Sequence, residues 1–350
     1  MAVYTKLTHQ EIANFLKQNY TIGDLVSFKE IIDGIDNSNF IIQTNFGKFI
    51  LTIFESRIIK DELPFFMNLK LHLAQRNIRC AKPINNNSNS LISAIKNKPA
   101  AIVSFLDGKT LNAENSGLYS SITVNHCKQI GKTLANLHNA VIDFEGYRKN
   151  DLGVLGWRNL FNKISHQIES YQDGLKQELE AYIEFVENNW VVAKTLQNPD
   201  DFTPHQLQEN NLSQGDFSFG AIHADLFPDN VFFDKKSNVS GVIDFYFAAN
   251  DLFIYDVAII INAWCFDQGN QFSEEKCQAI LQSYKEVINL SIERFETELK
   301  FLKVALVGAS LRFLLTRLHD LFFTTKDSLV KVKNPQEYLQ KIRYFYGAVR

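Results

Sequence analysis

Two short segments decide the fold of this chain. The first is His223-Ala-Asp-Leu-Phe-Pro-Asp-Asn230, inside GAIHADLFPDNVFF at 220–233, and the second is Ile243-Asp-Phe245, inside GVIDFYFA at 241–248. Each follows a short β-rich run, and each places polar or acidic residues where a strand meets a loop. Such an arrangement is typical of a site built on the ends of strands rather than of a core element.

The chain before these segments predicts a small antiparallel sheet. Three apolar runs are separated by Gly- and Asn-bearing turns, namely FKEIID at 28–33, NFIIQT at 39–44 and KFILTIF at 48–54. An opening helix is expected over 5–19, with Thr8 as its N-cap, and a second helix over 61–77.

Beyond about residue 107 the apolar spacing is mostly helical, with 217–247 as the β-rich exception. A length of 350 residues favours two lobes. We therefore predict an α+β, bilobal fold with an N-terminal lobe of sheet and helix at 1–106 and a larger helical lobe at 107–350. A crossing segment at 103–108 would join them.

The spacing of Asp225, Asn230 and Asp244 predicts phosphoryl-transfer chemistry. Such a site has to orient a hydroxyl, hold Mg²⁺ against the phosphates and offset charge as the bond breaks. Asp225 would accept the hydroxyl proton, and Asn230 and Asp244 would supply the oxygen ligands that Mg²⁺ prefers. His223 would brace the loop. The alternative is that these Asp and Asn residues are ordinary turn formers.

Composition and apolar patterning disfavour several other classes of protein. A formal net charge of -3 lacks the basic excess of a nucleic-acid-binding protein. No apolar run approaches the roughly 18 residues of a membrane span, and the first residues do not resemble a signal peptide. The four cysteines form no C-x-x-C pair, which fits a reducing cytoplasm better than a zinc site or a disulfide framework.

The two segments resemble the aminoglycoside phosphotransferase and choline kinase superfamily, most closely its homoserine kinase branch. Further segments point to the same branch: GIDNSNF at 34–40, GKFILTIFE at 47–55, ELPFFMNL at 62–69, GKTLANLH at 131–138 and IINAWCF at 260–266. The resemblance implies a protein-kinase-like fold, ATP and Mg²⁺ as cofactors, and L-homoserine as the small-molecule substrate. The product would be O-phospho-L-homoserine, on the way to threonine.

The resemblance also implies nucleotide-binding positions. They are the phosphate-covering turn (Gly34, Asn37, Ser38, Asn39), the third strand (Ile50, Thr52) and the hinge that contacts adenine (Ser104, Phe105, Leu106). A plain β-turn would explain the residues of the first group equally well.

Two positions depart from the pattern of kinases in general. Thr52 stands where the third-strand lysine is expected; Lys48 shares its face of the strand and could reach inward or remain exposed. Without that lysine, Glu62 has no assured partner and could simply be a charged residue near a helix start. Phe227 stands two residues after Asp225, where protein kinases have a lysine, so a protein acceptor is disfavoured.

Acceptor contacts are the least determined part of the site. A bound amino acid needs partners for its carboxylate and its ammonium group. The candidates near the loop are Asp229, Tyr246, Asn262 and Trp264, although aromatic residues there are more often core. Asp256 resembles a structural anchor in this superfamily.

Two other functions stay open on the sequence alone. One is a kinase of another small hydroxylated molecule, such as an amino alcohol, a sugar or an aminoglycoside, although no dense acidic run of the kind that a cationic acceptor needs is present. The other is a catalytically inactive kinase-like binding module, suggested by Thr52. The oligomeric state is not determined by the sequence.

Overall fold

A computed structural model describes residues 5–32, 37–55, 59–111, 122–190, 217–324 and 332–348, and the statements below concern these residues. The chain forms two compact units. The first comprises Met1–Lys109 and Ser240–Tyr246; the second comprises Thr110–Val239 and Phe247–Arg350.

The first unit begins with helix α1 (His9–Asn19), whose start agrees with the predicted N-cap. The Thr8 hydroxyl accepts a hydrogen bond from the backbone N–H of Glu11, and the Glu11 carboxylate accepts the backbone N–H of Thr8 at 2.7 Å. This reciprocal capping box satisfies two N–H groups that have no partner within the helix.

An antiparallel sheet of five strands follows, in the order β1-β2-β3-β5-β4. Its strands are β1 (Leu25–Ile31), β2 (Asn37–Thr44), β3 (Gly47–Phe54), β4 (Ser93–Ile95) and β5 (Lys98–Ser104). Alternate residues of β2 are buried, and Phe40, Ile42 and Leu51 pack with Ile12 and Phe15 of α1 into one core. The predicted antiparallel sheet is confirmed, although β1 starts at Leu25 and not at Phe28, and β2 starts at Asn37 and not at Asn39.

A short 3-10 turn (Lys60–Glu62) leads into helix α2 (Leu63–Gln75), whose second residue is a proline. Proline is tolerated in the first helical turn because its missing N–H would have no intrahelical partner there. Strand β6 (Lys109–Thr110) ends this part of the chain.

Helices dominate the second unit, as predicted. They are α3 (Val124–Ala140), α4 (Val154–Tyr171), α5 (Leu175–Asn189), α6 (Phe253–Trp264), α7 (Glu274–Lys285), α8 (Ile292–Phe323) and α9 (Gln336–Gly347). Between α5 and α6 come the short strands β7 (Phe219–Ile222), β8 (Val231–Phe233), β9 (Val239–Val242) and β10 (Ala249–Leu252). Of these, β9 belongs to the first unit from Ser240 onward. Strands β7 and β10 pair antiparallel, with Ile222 opposite Ala249.

Helix α6 is the centre of this unit, because each of its residues is buried. Its sequence, FIYDVAIIINAW, is apolar all round, which is typical of a helix enclosed by other elements. Helix α8 packs against both α6 and α9. The buried α6 therefore gives the residues that follow β7 a rigid support.

Within the described ranges, none of the helices combines the length and the apolar character that a membrane crossing requires. All four cysteines are buried free thiols. Cys265 lies beside Cys127 and Cys277, and burial together with these neighbouring thiols raises the pKa of Cys265. A buried thiol of this kind is kept in its unreactive protonated form.

Candidate active site

The loop that carries Asp225 begins where β7 ends. His223, Ala224 and Asp225 follow the strand directly, and a 3-10 turn (Pro228–Asn230) leads into β8. The N–H of Phe227 donates to the carbonyl of Asp225 at 2.8 Å, and the N–H of Asn230 donates to the carbonyl of Phe227 at 2.9 Å. These two bonds fold the segment back on itself, so that Asn230 returns toward Asp225.

Ala224 adopts a left-handed backbone conformation, with φ of 61°. For a residue with a Cβ atom this conformation costs of order 1 kcal/mol or more, and it persists where the surroundings hold it. Here its N–H donates to Oδ1 of Asp256 at 2.9 Å, and its carbonyl accepts a hydrogen bond from Nη1 of Arg312. The backbone immediately before Asp225 is therefore held from both sides.

Asp256 anchors the loop from α6. It is 0% exposed, and its Oδ2 accepts the N–H of His223 at 2.8 Å and lies 3.4 Å from Nε2 of His138. The other ring nitrogen of His138 lies 2.7 Å from the Tyr284 hydroxyl. Burial alone would raise the pKa of Asp256, but its hydrogen bond with His138 and the charges of His138 and His223 outweigh burial and lower it.

Asp225 is partly exposed and has several partners in its own loop. The Asn230 amide donates to the carbonyl of Asp225 at 2.8 Å and to its Oδ2 at 3.3 Å, while the N–H of Asp225 donates to Nδ1 of His223 at 3.2 Å. Burial raises the pKa of Asp225 to about 6, against the opposing charges of Arg312 and Lys333. The carboxyl is thus more basic than an ordinary aspartate and still mostly ionised at neutral pH.

Asp244 belongs to the first unit and follows β9. It also has a left-handed backbone, with φ of 63°. The buried Lys70 of α2 lies near it: burial lowers the pKa of Lys70 to about 8, and the negative charge of Asp244 acts in the opposite direction. The Lys70 ammonium lies 5.6 Å from the ring centroid of Tyr246.

The two metal ligands predicted from the sequence lie in different units, the Asn230 amide in the second and the Asp244 carboxylate in the first. Because the nitrogen of the Asn230 amide is engaged by Asp225, its oxygen is the atom that can bind a cation. Across the described part of the chain there is no group of three or more His, Cys, Asp or Glu side chains suited to a metal ion. The chemistry of the two donors fits Mg²⁺, which prefers oxygen and usually retains water and phosphate ligands.

The phosphate-covering segment differs from the prediction. Asn37, Ser38 and Asn39 lie in strand β2 and not in a turn, because they pair with Phe54, Ile53 and Thr52 of β3. Gly34 lies outside the described residues. The Ser38 hydroxyl donates to Glu55 at 2.7 Å, and Asn37 accepts the N–H of Glu55 at 3.4 Å.

The third strand has no inward lysine. Thr52 is buried, and its hydroxyl donates to the Asn39 side chain at 2.7 Å. Lys48 is exposed, with its ammonium 5.6 Å from the ring centroid of Phe105. Glu62 ends the 3-10 turn before α2 and makes no side-chain cap bond to that helix. Of the two positions left open for Lys48, the structure shows the exposed one.

The remaining nucleotide candidates lie where β3 and β5 pair and where β5 ends. Ile50 is opposite Val103, one residue before Ser104. The N–H of Ser104 donates to the carbonyl of Lys82 at 2.8 Å. Leu106 packs against Gly241, where an added Cβ would approach the Leu106 side chain to 2.6 Å.

The four acceptor candidates have different surroundings. Asp229 is exposed in the loop, and its charge adds to the rise in the pKa of Asp225. Tyr246 packs edge-on against Phe54 and Phe66, with centroid distances of 5.9 and 5.7 Å.

Asn262 and Trp264 are fully buried on α6, and their polar groups bond to the protein itself. The Asn262 side chain donates to carbonyls of Ala258 and Leu306 and accepts the Ser310 hydroxyl at 2.7 Å. The Trp264 indole N–H donates to the carbonyl of Leu226 at 2.8 Å. Their observed contacts support helix packing and the loop rather than an acceptor.

Two cations near Asp225 were missed from the sequence, namely Arg312 and Lys333. Arg312 lies in the apolar stretch ASLRFLLTRL at 309–318, and an arginine in a buried helix needs a polar partner, which was the available signal. Lys333 carries no comparable signal, because it precedes a helix in a polar segment.

Comparison with known proteins identifies the family of this arrangement. Residues 27–288 match the model of the phosphotransferase enzyme family. A homoserine kinase of Parvibaculum lavamentivorans is 41% identical over 347 residues, which cover 99% of this chain and 97% of that protein. A homoserine kinase of Rhizobium meliloti is 40% identical, with 100% and 96% covered.

A solved choline kinase from Cryptosporidium parvum shares the fold, with a TM-score of 0.65 and 16% identity over 98% of this chain and 97% of that one. The protein-kinase-like fold implied by the sequence resemblance is therefore confirmed. The chain belongs to the phosphotransferase enzyme family, in the group of its homoserine kinase relatives.

Proposed function

We propose that this chain transfers the γ-phosphoryl group of ATP to the side-chain hydroxyl of L-homoserine. The products are ADP and O-phospho-L-homoserine, an intermediate on the way to threonine. The observation that carries the proposal is the partly exposed Asp225 carboxylate, which accepts a hydrogen bond from the Asn230 amide and has its pKa raised to about 6 by burial, while His223 accepts the backbone N–H of Asp225. Full-length relatives at about 40% identity that are homoserine kinases support the choice of acceptor.

Asp225 is the proposed catalytic base. Its carboxylate accepts a hydrogen bond from the acceptor hydroxyl and takes the proton as the hydroxyl oxygen bonds to the γ-phosphorus. The bond from that phosphorus to the oxygen bridging to the β-phosphate breaks, and ADP leaves. A base with a pKa near 6 is suited to this step, since it is mostly ionised at pH 7 and binds a proton more readily than an ordinary aspartate.

Asn230 and Asp244 are the proposed Mg²⁺ ligands, through the amide oxygen and the carboxylate. When bound, the ion would neutralise negative charge on the phosphates of ATP. The hydrogen bond from the Asn230 amide to Asp225 fixes the orientation of that side chain, so one residue serves both the base and the metal.

The nucleotide is proposed to contact the first unit. Backbone groups of Ser104, Phe105 and Leu106 would contact adenine, and Ile50 and Thr52 of β3 would lie beside it. Gly34 and the start of β2 would cover the phosphates. Because Ser38 and Asn39 bond within the sheet, their side chains would act by holding that strand in place.

Asp229 is the proposed partner of the acceptor ammonium group. It is exposed, it lies in the loop of the base, and a carboxylate is a suitable partner for an ammonium ion. Tyr246, Asn262 and Trp264 are not proposed as contacts, since their observed partners belong to the protein.

The test is an ADP-release assay with Mg²⁺ and ATP. The acceptors are L-homoserine, L-serine, L-threonine, choline, methylthioribose and kanamycin, each compared with a reaction lacking acceptor. Turnover selective for L-homoserine, with a phosphomonoester product by ³¹P NMR, supports the proposal. Preference for another acceptor refutes L-homoserine as the substrate and keeps the kinase chemistry. ATP binding without turnover of any acceptor favours an inactive binding module.

A further inference from the structure

Among the described residues, two cationic side chains are found to lower the pKa of Asp225, namely Arg312 and Lys333. Arg312 is 2% exposed and donates to the carbonyl of Ala224. Its guanidinium carbon also lies 4.5 Å from the ring centroid of Phe313. Arg312 is therefore enclosed by the protein and positions the loop, so it is poorly placed to contact a substrate.

Lys333 has the opposite character, because it is exposed. Its ammonium lies 5.6 Å from the ring centroid of Phe227, the residue whose N–H donates to the carbonyl of Asp225. The Phe227 ring packs edge-on against Phe313 at 4.9 Å, so that ring has a fixed place in the loop. The Lys333 ammonium is thus accessible, and it lies beside Phe227, which follows the proposed base Asp225 by two residues.

The backbone next to Lys333 is anchored. Nη1 of Arg317 donates to the carbonyl of Asn334 at 2.9 Å and to the Glu337 carboxylate at 2.6 Å. The Asn334 side chain accepts the N–H of Gln336 at 3.0 Å, where α9 begins. The flexible lysine side chain therefore extends from a fixed point on the protein.

An amino-acid acceptor carries a feature that an amino alcohol lacks, its carboxylate. In an extended L-homoserine the carboxylate carbon and the hydroxyl oxygen are about 5 Å apart, from standard bond lengths. If the hydroxyl of the acceptor binds Asp225, the carboxylate of the same molecule therefore lies among the residues that surround Asp225. Of the two cations there, Lys333 is the accessible one.

We propose that Lys333 binds the carboxylate of the acceptor amino acid and so selects an amino acid over the corresponding amino alcohol. The inference rests on the proposed function and assigns one of its specificity contacts. The Phe227 ring beneath the ammonium stabilises the cation through its π face. Asp225 at the hydroxyl, Asp229 at the ammonium and Lys333 at the carboxylate would then each recognise one group of the substrate.

The experiment compares L-homoserine with 3-aminopropan-1-ol, which is the same molecule without the carboxylate. We would measure kcat and KM for both acceptors at saturating Mg²⁺ and ATP in the wild type, Lys333→Met and Lys333→Arg. The matched control is Lys303→Met, which removes the same charge from an exposed position on α8.

Lys333→Met is expected to lower kcat/KM for L-homoserine about 10- to 100-fold, the usual effect of losing a charged hydrogen bond. The loss should appear mainly in KM, because the carboxylate contact is present before and during the reaction. Turnover of 3-aminopropan-1-ol should change less than about 2-fold, Lys333→Arg should retain part of the preference, and Lys303→Met should retain all of it.

Equal losses for the two acceptors in Lys333→Met, or no loss for either, would overturn the role of Lys333 while leaving the proposed function intact. A wild-type protein with equal kcat/KM for 3-aminopropan-1-ol and L-homoserine would refute the carboxylate contact, while L-homoserine would remain a substrate. A wild-type protein that uses neither acceptor would refute the carboxylate contact and the proposed substrate together.

Discussion

The Asp256 carboxylate accepts the backbone N–H of His223 at 2.8 Å through one oxygen, while its other oxygen accepts the N–H of Ala224. The buried Asp256 carboxylate on α6 therefore positions the backbone of His223 and Ala224, the two residues that precede the proposed base. The two hydrogen bonds join Asp256 to residues that lie 33 and 32 positions earlier in the chain.

We predict that Asp256→Ala destabilises the protein by about 3–5 kcal/mol, because buried donors, including the imidazole of His138, lose their partner. Asp256→Asn should cost less, since it keeps one acceptor oxygen. Urea unfolding followed by circular dichroism measures both, with the exposed Asp320→Ala as the control. An unchanged unfolding midpoint in Asp256→Ala would show that these bonds do not hold the loop.

Asp225→Asn tests the base. We expect kcat to fall by about 10²–10⁴-fold, the range typical of a lost general base, while ATP affinity by calorimetry stays close to wild type. The melting temperature should stay the same or rise, because burial disfavours the charged carboxylate. Asp320→Asn, which removes an exposed carboxylate from α8, is the matched control. Undiminished turnover in Asp225→Asn would remove Asp225 from its proposed role.

We predict that the folding stability of the protein depends on pH through Glu337. Burial raises its pKa, but the charges of Lys341 and Arg317 outweigh burial and lower it from 4.5 to about 2. The unfolded chain therefore binds the proton more readily than the folded one. The stabilisation is complete above pH 4.5 and is lost as the pH falls from 4.5 toward 2.

The measurement compares urea midpoints of the wild type and Glu337→Gln between pH 3 and pH 7. We expect the wild type to be more stable at pH 7, by an amount on the order of 2–3 kcal/mol, and the difference to shrink below pH 4.5. A difference that is constant over this range would mean that the ion pairs of Glu337 contribute no net stability.

Gly308 of α8 is predicted to tolerate no side chain. An added Cβ would lie 2.6 Å from ring atoms of both Trp157 and Trp190, and the two rings also pack against each other at a centroid distance of 5.1 Å. We expect Gly308→Ala to destabilise the protein by about 1–3 kcal/mol from overpacking, despite the gain of about 1 kcal/mol in helix propensity. Thermal unfolding measures the effect.

Gly347→Ala at the end of α9 is the matched control, because nothing lies within 4 Å of its added Cβ. It should be neutral or slightly stabilising. If both alanine variants have the same melting temperature as the wild type, the tryptophan pair can move aside and the close packing at Gly308 is not rigid.

Much of the fold could be predicted from periodicity. Strand β3 and the start of α1 lie within a residue or so of their predicted places, because alternation and a Thr-x-x-Glu cap are local signals. The start of β2 was misplaced by two residues. Asn37 and Ser38 read as turn residues, but pairing with β3 and bonds to Glu55 draw them into the sheet.

The candidate acceptor residues show what a local sequence pattern cannot predict, namely which side chains become buried. Asn262 and Trp264 follow the segments of Asp225 and Asp244 in a recognisable motif, yet α6 is buried on all sides and both side chains face protein groups. The twelve residues of α6 alone could not show which helices would cover this helix, because its burial depends on how distant segments of the chain pack.

By itself, the sequence determined the order of sheet and helices from periodicity, and the resemblance of its segments indicated the family. The spacing along the chain predicted Asp225, Asn230 and Asp244 as a chemical set. The tertiary structure alone decided that Arg312 supports Ala224 from 88 residues away, that the Asp225 pKa rises to about 6, and that Lys333 lies beside Phe227. Burial and charge act through space, and the distances on which they depend exist once the chain has folded.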